Sequence, residues 1–291
     1  MITAIITAFK EPSTVGKAIS TLGDQLPIKS ELLVTAPDKE TLSVARKLMK
    51  KYPGLKIVKD LGRGKSAALN KAISQAHGDI LILTDGDVHV GPNAINNLMK
   101  PFSDKNVGAV SGNPVSINPK NEKYGFWAYL LTNIADKRRK KALMLKKRFF
   151  CSGYFFAIRK SLFPILPENL LSEDGYISHY IYEKGYKIGY SEKSQVYVKY
   201  PNNFRDWIKQ KKRSAGGYNQ LKKMLNVEIR SFRKESAGFF DFFKYASGFK
   251  EAIWLINLFL ARIYLWAAIY RDVNLKKKTR EELWERVEST K

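Results

Sequence analysis

The chain has 291 residues, 44% of them hydrophobic and 27% charged, which supplies a sizeable core and excludes a disordered chain. Lys and Arg number 51 against 27 Asp and Glu, a formal charge of +24, so the surface favours anionic partners: nucleic acid, phosphorylated small molecules or acidic lipid headgroups. The single cysteine, Cys151, excludes an intramolecular disulfide and a thiolate zinc cluster and fits a reducing, cytoplasmic compartment.

Ile2 to Phe9 is β-branched and apolar and reads as a buried strand; no basic stretch or small-residue cleavage site marks a secretory signal. Lys10-Glu11-Pro12-Ser13 turns into a helix expected from Thr14 to Leu22. Glu31 to Thr35 is a second strand, stopped by Ala36-Pro37-Asp38, and Lys39 to Tyr52 has helical periodicity. Leu55 to Val58 is a third strand, after which Gly62-Arg63-Gly64-Lys65-Ser66 opens a helix from Ala67 to Ala76. This alternation predicts an α/β fold with a mostly parallel sheet flanked by helices. Ligands bind such sheets outside the strands' carboxyl ends, where the turns after Ala8, Thr35 and Thr84 fall. The glycine-lysine turn lacks the GxxxxGK[ST] spacing of a nucleoside-triphosphatase loop. Lys65, at a helix amino end on that rim, suits a phosphate, against the plainer reading of a solvated turn.

Ile80 to Leu83, bounded by Gly78, forms a fourth buried strand that ends in Asp85-Gly86-Asp87. In an extended chain both carboxylates point to one face, and Gly86 between them admits a ligand close to the backbone. Two such carboxylates repel unless a cation lies between them. A hard divalent ion already carrying phosphate oxygens meets that need; an Asp-Gly turn is the simpler explanation.

Val107 to Gly112 is another strand. Lys137 to Arg148 packs eight bases into twelve positions around Ala142-Leu143-Met144-Leu145, a basic helix with a modest apolar stripe that reads as a solvated or membrane-facing surface. Phe149 to Lys160 reads as a strand broken at Ser152-Gly153. Ser172 reads as the N-cap of a helix with Glu173 and Asp174 in its first turn. Tyr186 to Tyr190 and Gln195 to Tyr200 read as two short strands. Phe204, Trp207 and Ile208 lie at helical spacing among bases, the pattern of an amphipathic helix on a membrane surface. Ala252 to Ala261 and Ile263 to Tyr270 are charge-free with Arg262 between them, which fits a single span or a buried or interfacial helix. The expected organisation is a domain over 1–200, an amphipathic helix region over 201–235, and an apolar helix with a charged tail over 236–291.

In order, Asp85-Gly86-Asp87, then Gly153 in Ser-Gly-Tyr-Phe-Phe-Ala-Ile-Arg, then Ser172-Glu173-Asp174, then Gln210-Lys211-Lys212-Arg213 resemble the signature of family 2 glycosyltransferases. The membrane-associated branch with cellulose, chitin and hyaluronan synthases is the nearest in look, and the resemblance runs from Ile2 to about Gly217. It implies a GT-A catalytic domain, a nucleotide-sugar donor, Mn²⁺ or Mg²⁺, and inverting transfer to a hydroxyl or phosphate of a glycan or lipid-linked acceptor. A place at the cytoplasmic face of the membrane, peripheral or single-span, goes with it. By the same resemblance Asp87 ligates the metal, Asp85 contacts the ion or the nucleotide, and Glu11 sits beside the nucleobase. Asp174 is the catalytic base with Glu173 in support, and Gln210 and Arg213 belong to the Gln-x-x-Arg-Trp helix whose arginine holds the leaving diphosphate. Phe9, Lys65 and Gly153 complete the expected substrate-binding set.

Two departures stand out. Where the family carries Asp-Asp-Gly-Ser, this chain has Ala36-Pro37-Asp38, so the uracil-contacting acid is missing or shifted to Asp38. Ser214 replaces the motif's tryptophan, which argues for single-sugar transfer over polymerisation. The rival readings are a nucleotidyltransferase, for which no third acidic ligand can be placed, and a nucleic-acid binder. The second is disfavoured because stacking aromatics are scarce in the basic runs.

Overall fold

The computed structural model describes residues 1–225, 239–275 and 287–290. Eight strands form one sheet: β1 (Ile2–Thr7), β2 (Glu31–Ala36), β3 (Leu55–Lys59), β4 (Ile80–Asp85), β5 (Val88–Val90), β6 (Val107–Ser116), β7 (Phe155–Arg159) and β8 (Lys187–Val198). Their order is β3-β2-β1-β4-β7-β6-β8-β5. The first four run parallel, β7 inserts antiparallel between β4 and β6, and β6 and β8 are parallel.

The near-continuous apolar runs of β1, β2 and β4 are explained by burial on both faces. Alternation divides each strand between two cores. Ala4, Ile6 and Ile82 meet α1 (Val15–Gly23), α2 (Lys39–Leu48) and α4 (Ala94–Met99) on one side. Ile5, Leu81 and Leu83 meet α3 (Lys65–Ser74) and α6 (Glu173–Glu183) on the other. A third core joins α5 (Lys123–Met144), α7 (Phe204–Leu225) and α8 (Phe249–Ile269) through Phe126, Trp127, Leu130, Trp207, Leu255 and Leu258.

Several expectations are corrected. The two strands expected between Tyr186 and Tyr200 are one, Lys187–Val198, because register shifts against β6 between Val107 and Ala109 and between Ser111 and Asn113 absorb the irregularity and let the ladder continue. The strand expected from Phe149 starts only at Phe155. The N–H of Cys151 donates to the Ser178 hydroxyl at 2.9 Å and that of Ser152 to the Ser111 hydroxyl at 3.0 Å, so this backbone is satisfied outside the sheet. The basic run is only the end of the 22-residue α5, whose first half is core. Trp207 does not face a membrane: it is 4% exposed, its ring centroid 5.3 Å from that of Trp127. That partner on α5 lies too far away in sequence for a local pattern to show which side of the helix is inward.

The division expected at 200 falls in the loop before α7; the one at 235, and the charged tail over 276–286, lie outside the described residues. In α8, Leu255, Leu258, Ala261 and Leu265 are buried, while Phe249, Ile253, Ile256, Leu260, Ile263 and Tyr264 form an exposed apolar stripe. The helix is long and apolar enough to cross a membrane, and its packing against α5 and α7 gives it a second use as a core element.

Glu31 ties the amino end of β2 to its neighbours. It accepts from the Thr3 hydroxyl and the His77 N–H, both at 2.7 Å, and from the Lys56 ammonium at 3.0 Å. Burial opposes its charge, but the His77 N–H, the Thr3 hydroxyl and Lys56 outweigh it and pull its pKa down from 4.5 to about 2. The folded state thus binds the proton less well than the unfolded chain. The contribution is present above pH 4.5 and is lost as the pH falls towards 2. At about 1.4 kcal/mol per pKa unit this sets a ceiling of roughly 3 kcal/mol, which solvent around the exposed Lys56 and His77 side chains lowers. Urea melts of Glu31→Gln at pH 7 should show a loss below that ceiling, shrinking towards zero at low pH, where the wild-type carboxyl is also neutral.

Candidate active site

The carboxyl ends of all four parallel strands open into one cavity of about 1370 Å³: Thr7, Ala8 and Phe9 after β1, Pro37 after β2, Asp60 after β3, and Asp85 with Asp87 after β4. Its other walls are the Ser152-Gly153-Tyr154 segment, the start of α6, and faces of α5, α7 and α8. The amino end of α3 also points here. Gly62 and Gly64 have φ of +71° and +99°, a backbone that favours glycine, and they set the turn that places Lys65 as the first helical residue.

Asp85 is the last residue of β4 and Asp87 lies in the turn to β5, so the two are brought together by a turn and not by strand alternation. Asp85 Oδ1 accepts from the Thr7 hydroxyl at 3.0 Å and from the Lys65 ammonium. Lys65 is the hub of the acidic rim. Burial disfavours its charge, yet Asp85, Glu173 and Asp174 together outweigh that and hold its pKa above the usual lysine value. Across from it, burial raises the pKa of Glu173, with Lys65 opposing and Asp174 and Asp85 reinforcing the rise. Glu173 Oε1 also accepts from the Ser66 hydroxyl at 3.3 Å.

Asp174 is held by three donors: the Ser172 hydroxyl at 2.7 Å and the Gly175 N–H at 2.9 Å on Oδ1, and the Gly153 N–H at 3.1 Å on Oδ2. Ser172 therefore does not cap α6 with its side chain, as its position suggested; it makes no capping bond and orients Asp174 instead. A Cβ at Gly153 would lie 3.2 Å from Asp174 Oδ2, a tight contact that would press on this carboxylate.

On α7, the Gln210 side-chain N–H₂ donates to the Tyr154 hydroxyl at 3.3 Å, while Gln210 Oε1 is buried and has no hydrogen-bond partner among the described residues. Burial, with Tyr200 and the Asp87 carboxylate nearby, pushes the Tyr154 pKa well up, and the Arg213 guanidinium acts in the opposite sense. Gln210, Arg213 and Asp87 are thus gathered around Tyr154. Ser214 leaves no aromatic ring at its position, but one turn further Tyr218 stacks on Phe150 with centroids 6.2 Å apart, and both line the cavity. Arg262, the one charge between Ala252 and Tyr270, also lines it.

One nucleotide-side expectation is placed differently. Asp38 does not line the cavity; its oxygens accept from the N–H groups of Thr41 at 2.9 Å, as the α2 cap, and Lys10 at 2.8 Å. Asp60, which the sequence reading passed over, does line it, fixed by the Thr35 hydroxyl at 3.2 Å and the Gly62 N–H at 2.6 Å. The signal was available, since Asp60 directly follows β3 on the ligand-binding rim. Glu11 is buried, with its carboxylate against Gly86, where an added Cβ would lie 2.5 Å from Oε2.

The fold is of the GT-A class, which solved structures of glycosyltransferases share. A mannosyltransferase from Pyrobaculum calidifontis, solved with GDP-Man and Mn²⁺, superposes with a TM-score of 0.61 at 18% identity over 97% of this chain and 84% of that one. Glucosyl-3-phosphoglycerate synthase from Mycobacterium tuberculosis, solved with Mn²⁺, UDP and glucosyl-3-phosphoglycerate, gives 0.52 at 16% identity over 79% and 81%. Residues 3–164, more than half of the chain, match the model of glycosyl transferase family 2, and the chain belongs to that family.

The O-antigen chain rhamnosyltransferase WbaN of Salmonella anatum is 33% identical over 44% of this chain. The probable glycosyltransferase YdaM of Bacillus subtilis is 27% identical over 75%. The chain covers 43% and 56% of these two proteins, about half the length of the curated relatives it matches.

The Asp-Gly-Asp turn has no room for a side chain at its centre. A Cβ on residue 86 would also lie 2.7 Å from Ala8 Cβ. Gly86→Ala should therefore displace Asp87 or Glu11 and weaken metal-dependent nucleoside diphosphate binding by at least about tenfold with the fold retained, read by calorimetry against circular dichroism.

Proposed function

We propose that the protein is a metal-dependent glycosyltransferase that moves a sugar from a nucleotide-sugar donor to a hydroxyl or phosphate of a glycan or lipid-linked acceptor, with inversion. One observation carries this reading: paired carboxylates after β4, a firmly oriented carboxylate at the start of α6 and an arginine on α7 all line one cavity on the carboxyl rim of the sheet.

The donor set suits a hard divalent ion. Asp85 and Asp87 supply oxygen ligands, and among the described residues no third His, Cys, Asp or Glu joins them to form a closed cage. Mg²⁺ and Mn²⁺ sites of this kind are completed by substrate phosphates. Asp87 would be the principal ligand, because Asp85 Oδ1 is already shared by Lys65 and Thr7. When bound, the ion supplies charge stabilisation at the departing diphosphate.

The chain's own residues account for the remaining steps. Arg213 adds a second positive charge for the leaving oxygens, with Gln210 and Tyr154 alongside. Asp60 and Phe9 line the nucleotide end, with Asp60 in the place the sequence had offered to Asp38. Asp174 takes the proton of the acceptor hydroxyl as that oxygen attacks the anomeric carbon; the bond to the diphosphate breaks and its electrons leave with the nucleotide. Glu173 and Lys65 hold the charge balance around it. No covalent intermediate is invoked, and Cys151, whose thiol burial pushes up to about 12, is not an available nucleophile. The Phe150–Tyr218 pair offers the acceptor sugar an apolar wall.

The exposed apolar residues and the +24 charge support a peripheral position on the cytoplasmic face of a membrane.

Release of nucleoside diphosphate from a panel of nucleotide sugars with Mn²⁺ and Mg²⁺ tests the reaction. Asp87→Ala should abolish metal-dependent donor binding; unchanged affinity in calorimetry would exclude it as the ligand. Asp174→Asn should keep donor binding and lose transfer by about 10²-fold or more. An active Asp174→Asn beside an inactive Glu173→Gln would exchange the two roles.

A further inference from the structure

Beyond residue 136, the end of α5 and the turn that follows it carry a run that the transfer chemistry does not use. From Lys137 to Arg148 there are eight bases and no acid. At its end, three consecutive apolar residues stand in solvent: Leu143 is 44% exposed, Met144 82% and Leu145 52%. The turn that ends the helix is well defined. Lys147 N–H donates to the Ala142 carbonyl at 2.8 Å and Lys146 N–H to the Leu143 carbonyl at 3.1 Å, with Lys146 in the left-handed region at φ +52°. The apolar residues thus form a fixed apex and not a frayed end. Around them the cations divide into two sets. Lys140 pairs with Asp136 and Glu192, and Arg148 with Glu183, whereas Lys141, Lys146 and Lys147 make no ion pair among the described residues. The apex also has a fixed relation to the site, because Ala142 on one side of it and Arg148, Phe149 and Phe150 on the other line the cavity.

We propose that the Leu143-Met144-Leu145 apex with its collar of Lys141, Lys146 and Lys147 docks on an anionic lipid bilayer and seats the mouth of the cavity on the membrane surface. A bilayer satisfies both halves of the motif: headgroup phosphates meet the ammonium groups while the apolar side chains pass beneath them. A polyanion in water matches only the cations. It leaves three apolar residues wet, and the segment has no aromatic ring on which a base could stack. The consequence for catalysis, that an amphiphilic acceptor enters from the bilayer, rests on the glycosyl-transfer reading; the docking itself does not.

Co-sedimentation of the full chain with phosphatidylcholine vesicles, with and without phosphatidylglycerol, at low and high salt, tests the proposal. The wild type should bind the anionic vesicles and keep a salt-resistant fraction. Leu143→Ser/Met144→Ser/Leu145→Ser should lose that fraction and bind at least about tenfold more weakly, and Lys141→Gln/Lys146→Gln/Lys147→Gln should lose the preference for phosphatidylglycerol. Both variants should retain nucleoside diphosphate binding in Mn²⁺, which confirms that they are folded.

The proposal is overturned if the serine variant binds as the wild type does, or if neutral vesicles bind equally well. It is also overturned if Ile256→Ser/Leu260→Ser on α8 abolishes binding while the apex variants do not. Tighter binding of single-stranded RNA than of anionic vesicles, lost in the lysine variant, overturns it in favour of a nucleic-acid surface. Apex-dependent vesicle binding by a wild type that binds no nucleoside diphosphate would remove the enzymatic reading and leave the docking element established.

Discussion

Everything at the rim of the sheet depends on the placement of one ammonium group among carboxylates. Asp85, Glu173 and Asp174 come from β4 and α6, far apart in sequence, and their charges would repel if nothing positive lay between them. Lys65 lies there, bonded to Asp85 and reaching towards the Gly153 carbonyl at 3.5 Å. Putting it there uses the two left-handed glycines before α3, which turn the chain so that the helix begins at the lysine and not a turn later. The glycine-lysine turn thus differs from a phosphate-cradling loop in what it serves: its lysine is first a structural counter-ion for the acidic rim, and only secondarily a candidate for contact with a donor phosphate.

The same arrangement sorts the carboxylates by task. Asp174 receives three hydrogen bonds and is fixed in orientation, while Glu173, beside it, is the one whose proton affinity burial increases. Asp87 stands apart from the lysine cluster, in the turn, near Tyr154 and the α7 arginine. The fold thus gives the two carboxylates different surroundings on different walls of one cavity.

The first half of the fold was legible because its signals are local. Apolar runs that end in turn residues define β1 to β4, and strand–helix alternation fixes their parallel arrangement. What could not be read required knowing a distant neighbour. Trp207 looks like a membrane anchor until Trp127 is brought against it. Ser172 looks like a cap until its hydroxyl is seen to donate to Asp174. Asp38 and Asp60 each follow a strand on the same edge, and only the tertiary turn that spends both oxygens of Asp38 on backbone N–H groups decides that Asp60 borders the cavity instead. Cys151 and Ser152 read as strand because their side chains and neighbours suit one; their backbone bonds go to serines of α6 and β6.

The third core gives the apolar C-terminal helix its meaning. A helix that is hydrophobic all round is buried or in a membrane, and α8 divides its circumference between the two conditions. One side closes over Trp127 and Trp207, where the Trp127 indole N–H donates to the Trp254 carbonyl at 2.7 Å, and the other side is left exposed. Arg262 follows from this division. On an isolated spanning helix a central arginine is costly, but here it lines the cavity, so the outer side of the helix carries no charge after Glu251. Its inner contacts rest on α7, which carries Gln210 and Arg213. The exposed apolar stripe of α8 and the Gln210–Arg213 stretch of α7 therefore belong to one packed unit, joined through the third core.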